Sequence, residues 1–256
     1  MSLAASLPMV GVLVRRALNE VLRVPAGAVP GVLAPTIFVL GLTSVFGNLS
    51  QLPGFSGGDY ISFILAVGLL QGAGFTGAAT GVNFARDIEY GWFDRLLVSP
   101  VPRRSLFAAS VLSAAIRALL PVTALLLVGF AVGADFPGVA GLAIAVVLAV
   151  AYAAVAAGWS IALALRFKTQ SAAPLMQAGN FVAVLFTASY APQELLSGWL
   201  ATVATYNPVS YVLEATRQGF VGEVTWATTW PGLLALAGLG ALLFALALRS
   251  LRRFES

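Results

Sequence analysis

The sequence predicts an all-α integral membrane protein of six spans, and three observations predict it. Hydrophobic residues make up 59% of the 256 positions and charged residues 9%, against about 25% charged in an ordinary soluble domain; mean hydropathy is +0.93. No charge interrupts residues 24–58, 60–85, 136–165, 169–193 or 224–248, and each window holds the ~20 apolar residues that cross a bilayer as a helix. The segments between these windows alternate sharply in basic charge.

The spans read in order as 29–46, 60–82, 106–133, 139–165, 172–190 and 230–248. The third requires Arg117 to be tolerated within it. Arg15, Arg16 and Arg23 precede the first span; Arg86, Arg95, Arg103 and Arg104 lie between the second and third; Arg166 and Lys168 separate the fourth and fifth; Arg249, Arg252 and Arg253 follow the last. The positive-inside rule therefore places both ends of the chain in the cytoplasm. Arginines in the early part of the chain break up any uninterrupted apolar leader, so the first span is expected to act as its own targeting signal. With six spans in 256 residues the whole chain, 1–256, reads as a single membrane domain.

Ahead of the first span, over 5–24, Leu7, Val10, Val14, Ala17, Leu18 and Val21 recur at steps of three and four, with Arg15, Arg16, Asn19, Glu20 and Arg23 on the other side. That pattern predicts an amphipathic helix lying in the cytoplasmic interface. Gly77 and Gly81, within a run of small residues, have GxxxG spacing and predict close helix packing rather than a site. On the far side, Pro53, Gly54, Gly57 and Gly58 mark a loop, and Asp135 to Gly138 a short turn. The stretch 191–223 is apolar yet broken by Pro208, which suits short re-entrant helices.

Composition removes whole classes of function. Histidine and cysteine are both absent, so thiol nucleophiles, Ser-His dyads, disulfides and metal sites built on His or Cys are excluded, and no intramembrane enzyme mechanism is visible. The one lysine, Lys168, follows Phe167 and not the glycine of a phosphate-binding loop. The chain is thus expected not to be an enzyme and to carry no cofactor. Its net charge of +4 reads as orientation in the bilayer rather than as nucleic-acid binding. A secondary transporter or channel would place carboxylates in mid-membrane, and no Asp or Glu falls within the six spans.

Charge is concentrated in one loop, 84–104. Gly91 interrupts any helix arriving from Phe84, and Trp92, Phe93, Asp94, Arg95, Leu96 and Leu97 then offer a turn or two of helix that Pro100 and Pro102 stop. Exposing four large apolar side chains to water is unfavourable by ~1.5–3 kcal/mol each. They require either a protein partner or the bilayer interface, and composition alone leaves both open.

The loop resembles that of type-2 ABC exporter permeases, the daunorubicin-type drug exporters and their relatives. Their pattern runs acidic, Gly, aromatic, Leu and Pro, followed by basic residues, and Glu89, Gly91, Phe93, Leu96, Leu97, Pro100, Arg103 and Arg104 match it. Pro192, Leu195, Trp199, Asn207, Pro208 and Arg217 resemble the landmarks of that family's extracytoplasmic segment, although ahead of Trp199, where relatives commonly carry Leu-Pro, this chain has Leu196, Ser197 and Gly198. The resemblance implies a coupling helix, formed by Glu89, Gly91, Trp92, Phe93, Asp94, Arg95, Leu96, Leu97 and Pro100, that docks into a separate ATPase. It also implies a connecting helix with Val14, Arg15, Arg16 and Leu18 beside it. ATP and magnesium would sit on two ATPase subunits, and a second permease copy or a related permease would complete the pore in a bacterial plasma membrane. The implied cargo is a hydrophobic drug, antibiotic or lipid-like compound, with polysaccharide or glycolipid export as the alternative within the family. Arg117, close to mid-depth, is either a pathway residue or a partner within the bundle.

Overall fold

The computed structural model describes residues 29–253 apart from 54, 56–57 and 94–101, and apart from the side chains at 29, 30, 103 and 253; residues 11, 15 and 19 are described as well. Among these residues the fold is entirely helical. Helix α1 is Val29–Phe46, α2 Tyr60–Glu89, α3 Arg103–Val132, α4 Gly138–Phe167 and α5 Ala173–Leu185; α6 is Gly198–Tyr206, α7 Pro208–Val221 and α8 Trp226–Arg253. Short 3₁₀ turns at Gly47–Gln51, Gln170–Ala172 and Gln193–Leu195 punctuate the connections.

Five helices are long and apolar enough to cross a membrane: α1 with the turn that follows it, α2, α3, α4 and α8. Their outward faces carry Leu33, Ile37, Leu119, Leu120, Leu127, Leu234, Leu242 and Leu246 in the open, an apolar exterior suited to lipid and not to water. Helix α2 outruns the expected span 60–82 and the charge-free window 60–85, because a charged residue ends a hydropathy window without ending a helix. Arg86, Asp87 and Glu89 simply extend it.

The expected span at 172–190 takes a different form. Helix α5 stops at Leu185 after 13 residues, about 20 Å of rise, and turns follow. The hydroxyls of Thr187 and Ser189 both donate to the Val184 carbonyl, at 2.7 and 2.5 Å, where they compete with the backbone bond it takes from the Thr187 N–H three residues on, at 3.3 Å. Asn207 then closes the end from elsewhere in the chain. Its Nδ2 donates to the carbonyls of Ala183 and Phe186 (2.8 and 2.9 Å), while its Oδ1 accepts from the Val209 N–H at 3.0 Å. One side-chain amide thus caps the C-terminus of α5 and the N-terminus of α7, with Pro208 in the first turn of α7 where a missing N–H costs nothing. Helices α6 and α7, of 9 and 14 residues, are both too short for a crossing.

Helix α2 is the axis of the bundle, buried along almost its whole length and packed on α4, α3, α1, α5 and α7. Glycine makes the α2–α4 approach close. A Cβ on Gly77 would meet the Ala153 carbonyl oxygen at 2.5 Å and the Ala157 nitrogen at 2.9 Å, and one on Gly81 would run into the Ser160 side chain and backbone. At this distance Ser160 Oγ donates to the Gly77 carbonyl at 2.9 Å. The GxxxG pair is therefore a packing seam within one chain. Two buried clusters flank it: one around Tyr60, Phe63, Ile64, Leu213 and Phe220, the other around Phe84, Phe93, Phe107, Leu165, Met176 and Leu251.

Gly77→Leu and Gly81→Leu are expected to destabilise the bundle by more than the ~1–3 kcal/mol typical of overpacking, because backbone atoms and not flexible side chains stand in the way. Gly41→Leu, where nothing lies within 4 Å, is expected to be neutral. Thermal unfolding in detergent compares the three.

Candidate functional site

The root of the α2–α3 loop is built by a glycine stop. Gly91 has φ +68, a conformation nearly reserved for glycine, and its N–H donates to the Ile88 carbonyl at 3.0 Å as the Tyr90 N–H does to Arg86. These bonds match part of the Schellman pattern that ends helices on a left-handed residue. A side chain at position 91 would meet open space, so backbone conformation alone demands the glycine.

The stop turns the chain back on α2 and divides the aromatics. Phe93 is 1% exposed, its ring centroid 4.9 Å from that of Phe84, and it belongs to the buried cluster that includes Met176 of α5. Of the four apolar side chains that the sequence leaves in need of a partner, Phe93 finds one within its own chain. Trp92 and Tyr90, at 45% and 73% exposure, face outward instead. Glu89 reaches across to the turn after α4, its Oε2 accepting from the Gln170 backbone N–H at 3.0 Å and from Gln170 Nε2 at 3.2 Å.

Asp94, Arg95, Leu96, Leu97 and Pro100 lie outside the described residues, as do Val14, Arg16 and Leu18 of the expected connecting helix. Arg15 is described: with Gly11 and Asn19 it is helical and exposed at steps of four, the line expected for the polar side of an amphipathic helix.

Two arginines within the helices, half-buried Arg117 and buried Arg217, have partners. Arg117 donates from Nη2 to Thr80 Oγ1 at 2.6 Å and from Nε to the Ser113 carbonyl at 3.3 Å, and Thr80 passes its own hydroxyl hydrogen to the Thr76 carbonyl at 3.1 Å. These bonds bridge α3 to α2. Arg217 is 1% exposed. Its Nε–H donates to the Phe63 carbonyl at 3.1 Å, Nη2 to the Ala188 carbonyl at 2.9 Å and Nη1 to Glu214 Oε1 at 2.7 Å. The guanidinium also lies 3.7 Å over the Phe63 ring, a cation–π contact in a desolvated setting. The Glu214 pairing is legible as an i,i+3 spacing, but the bonds to Phe63 and Ala188 are not, since nothing local marks a backbone carbonyl as a long-range acceptor.

Sequence reasoning also passed over three polar groups inside the bundle. The side-chain amides of Gln71 and Asn180 and the indole N–H of Trp159 are buried without hydrogen-bond partners, and the Asn180 amide lies over Gly74 of α2. Each amide carries two donors and an acceptor that a polar guest could use. The available signal was an amide within an otherwise apolar span.

Replacing Arg217 by Ala leaves the Phe63 and Ala188 carbonyls without this donor and opens a void, with an expected loss of about 2–4 kcal/mol. Arg217→Lys is expected to lie between, because one ammonium on a shorter reach does not reproduce the planar fork. The unfolding midpoint of each variant in nanodiscs measures the effect.

Comparison with known proteins follows the same lines. The chain is 28% identical over 197 residues to the Mycobacterium tuberculosis "Probable doxorubicin resistance ABC transporter permease protein DrrC", covering 75% of this chain and 69% of that one. It is 28% identical over 176 residues to the Escherichia coli "Probable multidrug ABC transporter permease YbhR", covering 65% of this chain and 46% of that one. To the "Putative transport permease ycf38" of Pyropia yezoensis it is 26% identical over 230 residues, 85% of this chain and 75% of the relative. The model for the family described as ABC-2 type transporter matches residues 9–221, most of the chain, and the protein is a member of that family.

Proposed function

We propose that the chain is the membrane subunit of an ATP-driven exporter that moves a hydrophobic drug, antibiotic or lipid-like compound outward across a bacterial plasma membrane. The observation that carries this reading is the family match over residues 9–221, and the names of the relatives, doxorubicin resistance and multidrug permeases, favour a lipophilic cargo. In the membrane, α1 to α4 and α8 cross, α5 makes the remaining crossing together with the turns after it, and α6 and α7 enter and leave on the outer side. Both termini lie in the cytoplasm.

Power comes from outside the chain. Two ATPase subunits hold ATP and magnesium, and a second permease copy or a related permease completes the pathway. The loop between α2 and α3 is the docking element: Gly91 sets its direction, Phe93 roots it, and Trp92, Asp94, Arg95, Leu96, Leu97 and Pro100 meet the ATPase. Val14, Arg15, Arg16 and Leu18 of the N-terminal segment lie alongside. Nucleotide state on the ATPases then biases the bundle between conformations that hold the cargo with different affinity, which is the condition for directed transport.

The test is co-purification with candidate ATPase subunits in nanodiscs, followed by a screen for compounds that stimulate hydrolysis. Leu96→Asp and Trp92→Asp are expected to weaken retention of the ATPase at least about tenfold, the ~1.4 kcal/mol or more typical of one buried apolar contact, with insertion into the membrane unchanged. Variants that bind and export as the parent does would remove this loop from the coupling path.

A further inference from the structure

Glu89 occupies the last position of a 30-residue helix, the end where aligned peptide dipoles leave partial negative charge, so a carboxylate there is unfavourable unless donors meet it. Donors do meet it. Gln170 supplies two, its backbone N–H and its side-chain amide, to the same oxygen. Gln170 opens the 3₁₀ turn that leads directly into α5, and the first N–H groups of such a segment have no partner within it. The next one is satisfied locally, since Thr169 Oγ1 accepts from the Ser171 N–H at 3.2 Å. Glu89 thus acts as the cap of a helical segment 81 residues further along, placing a negative charge where that segment's dipole favours one.

The contact does not stand alone. The turn packs against α2, and α5 does so along its length. Phe93, four residues beyond Glu89, shares a buried cluster with Met176 in the first turn of α5. A polar bond and a shared buried cluster therefore join the base of the α2–α3 loop and the start of α5.

We infer that Glu89 is a positioning residue that latches the α2–α3 loop to α5, so that a push on the loop displaces α5 with it as one body. The push rests on the exporter reading above; the latch itself does not. Gln170→Pro is a selective probe, because proline at the first position of the turn removes both donors, and Thr169 already has the extended backbone (φ −143, ψ 147) that a following proline requires.

Because the chain contains no cysteine, the pair Glu89→Cys with Gln170→Cys reports the contact without background. In nanodiscs holding the permease alone, a short bifunctional thiol reagent is expected to join the pair within one chain, and failure to join it overturns the latch. With the ATPase bound, the unjoined pair, which lacks the Glu89 carboxylate, is expected to export as little per ATP as Glu89→Ala, and joining it is expected to bring export back toward the parent's level, since the tie takes the place of the latch. Glu89→Ala and Gln170→Pro are each expected to lower export per ATP roughly three- to tenfold while the ATPase still co-purifies, and the double variant to fall no further than either single one. Arrest of export by the tie, or additive losses in the double variant, overturns the joint motion. Loss of the ATPase in Glu89→Ala but not in Gln170→Pro assigns Glu89 to the partner and overturns the latch. If the parent chain retains no ATPase, the exporter reading falls and the cross-link still decides the contact.

Discussion

A helix end packed among other helices can leave carbonyls and N–H groups that need a partner from elsewhere in the chain, and the region from 183 to 218 is organised around that constraint. Asn207 and Arg217 meet it in complementary ways. Asn207 has both a donor and an acceptor, so it serves the last carbonyls of α5 and the first N–H of α7 together. Arg217 has only donors, and it spends them on carbonyls at the start of α2 and in the turns after α5 as well as on Glu214. Remove these two side chains and the broken helices have little reason to stay broken in this manner. The burial of a guanidinium is tolerable because donors, a carboxylate and an aromatic face replace its water.

The other end of α2 follows the same logic with weaker materials. Glycine stops the helix, Phe93 fills the space behind the stop, and Glu89 lends its charge to the turn before α5. Between the ends, the absence of side chains at Gly77 and Gly81 lets α4 lie close enough for a serine to bond across. Small residues set the α2–α4 contact in the middle of the bundle, beside the Arg117–Thr80 bridge, while polar side chains set its two ends. That division fits a membrane interior, where apolar burial offers no advantage over lipid and packing has to decide.

Much of this architecture was legible. Charge-free windows located α1, α2, α4 and α8, tolerance of Arg117 added α3, Gly91 announced its stop, and Pro208 announced a break in the stretch before α8. Three things escaped. The short length of α5 escaped because hydropathy measures apolarity, and Thr187 and Ser189 end the helix through hydroxyl bonds that a window does not register. The inward turn of Phe93 escaped because an aromatic after a glycine reads alike whether it faces a partner or its own helix. The partners of Glu89 and Asn207 and the two backbone partners of Arg217 escaped because backbone carbonyls and amides are identical at every position, so only the folded chain says which of them a side chain reaches.

The near-total enclosure of α2 carries a consequence for how such a protein diversifies. Any change in the volume of that helix is felt by α1, α3, α4, α5 and α7 at once, whereas changes on the open faces of α1, α3 and α8 are felt mainly by fluid acyl chains. New preferences can therefore be tried on the periphery while the axis stays fixed, and a lineage of these proteins can alter what it touches without relearning how to fold.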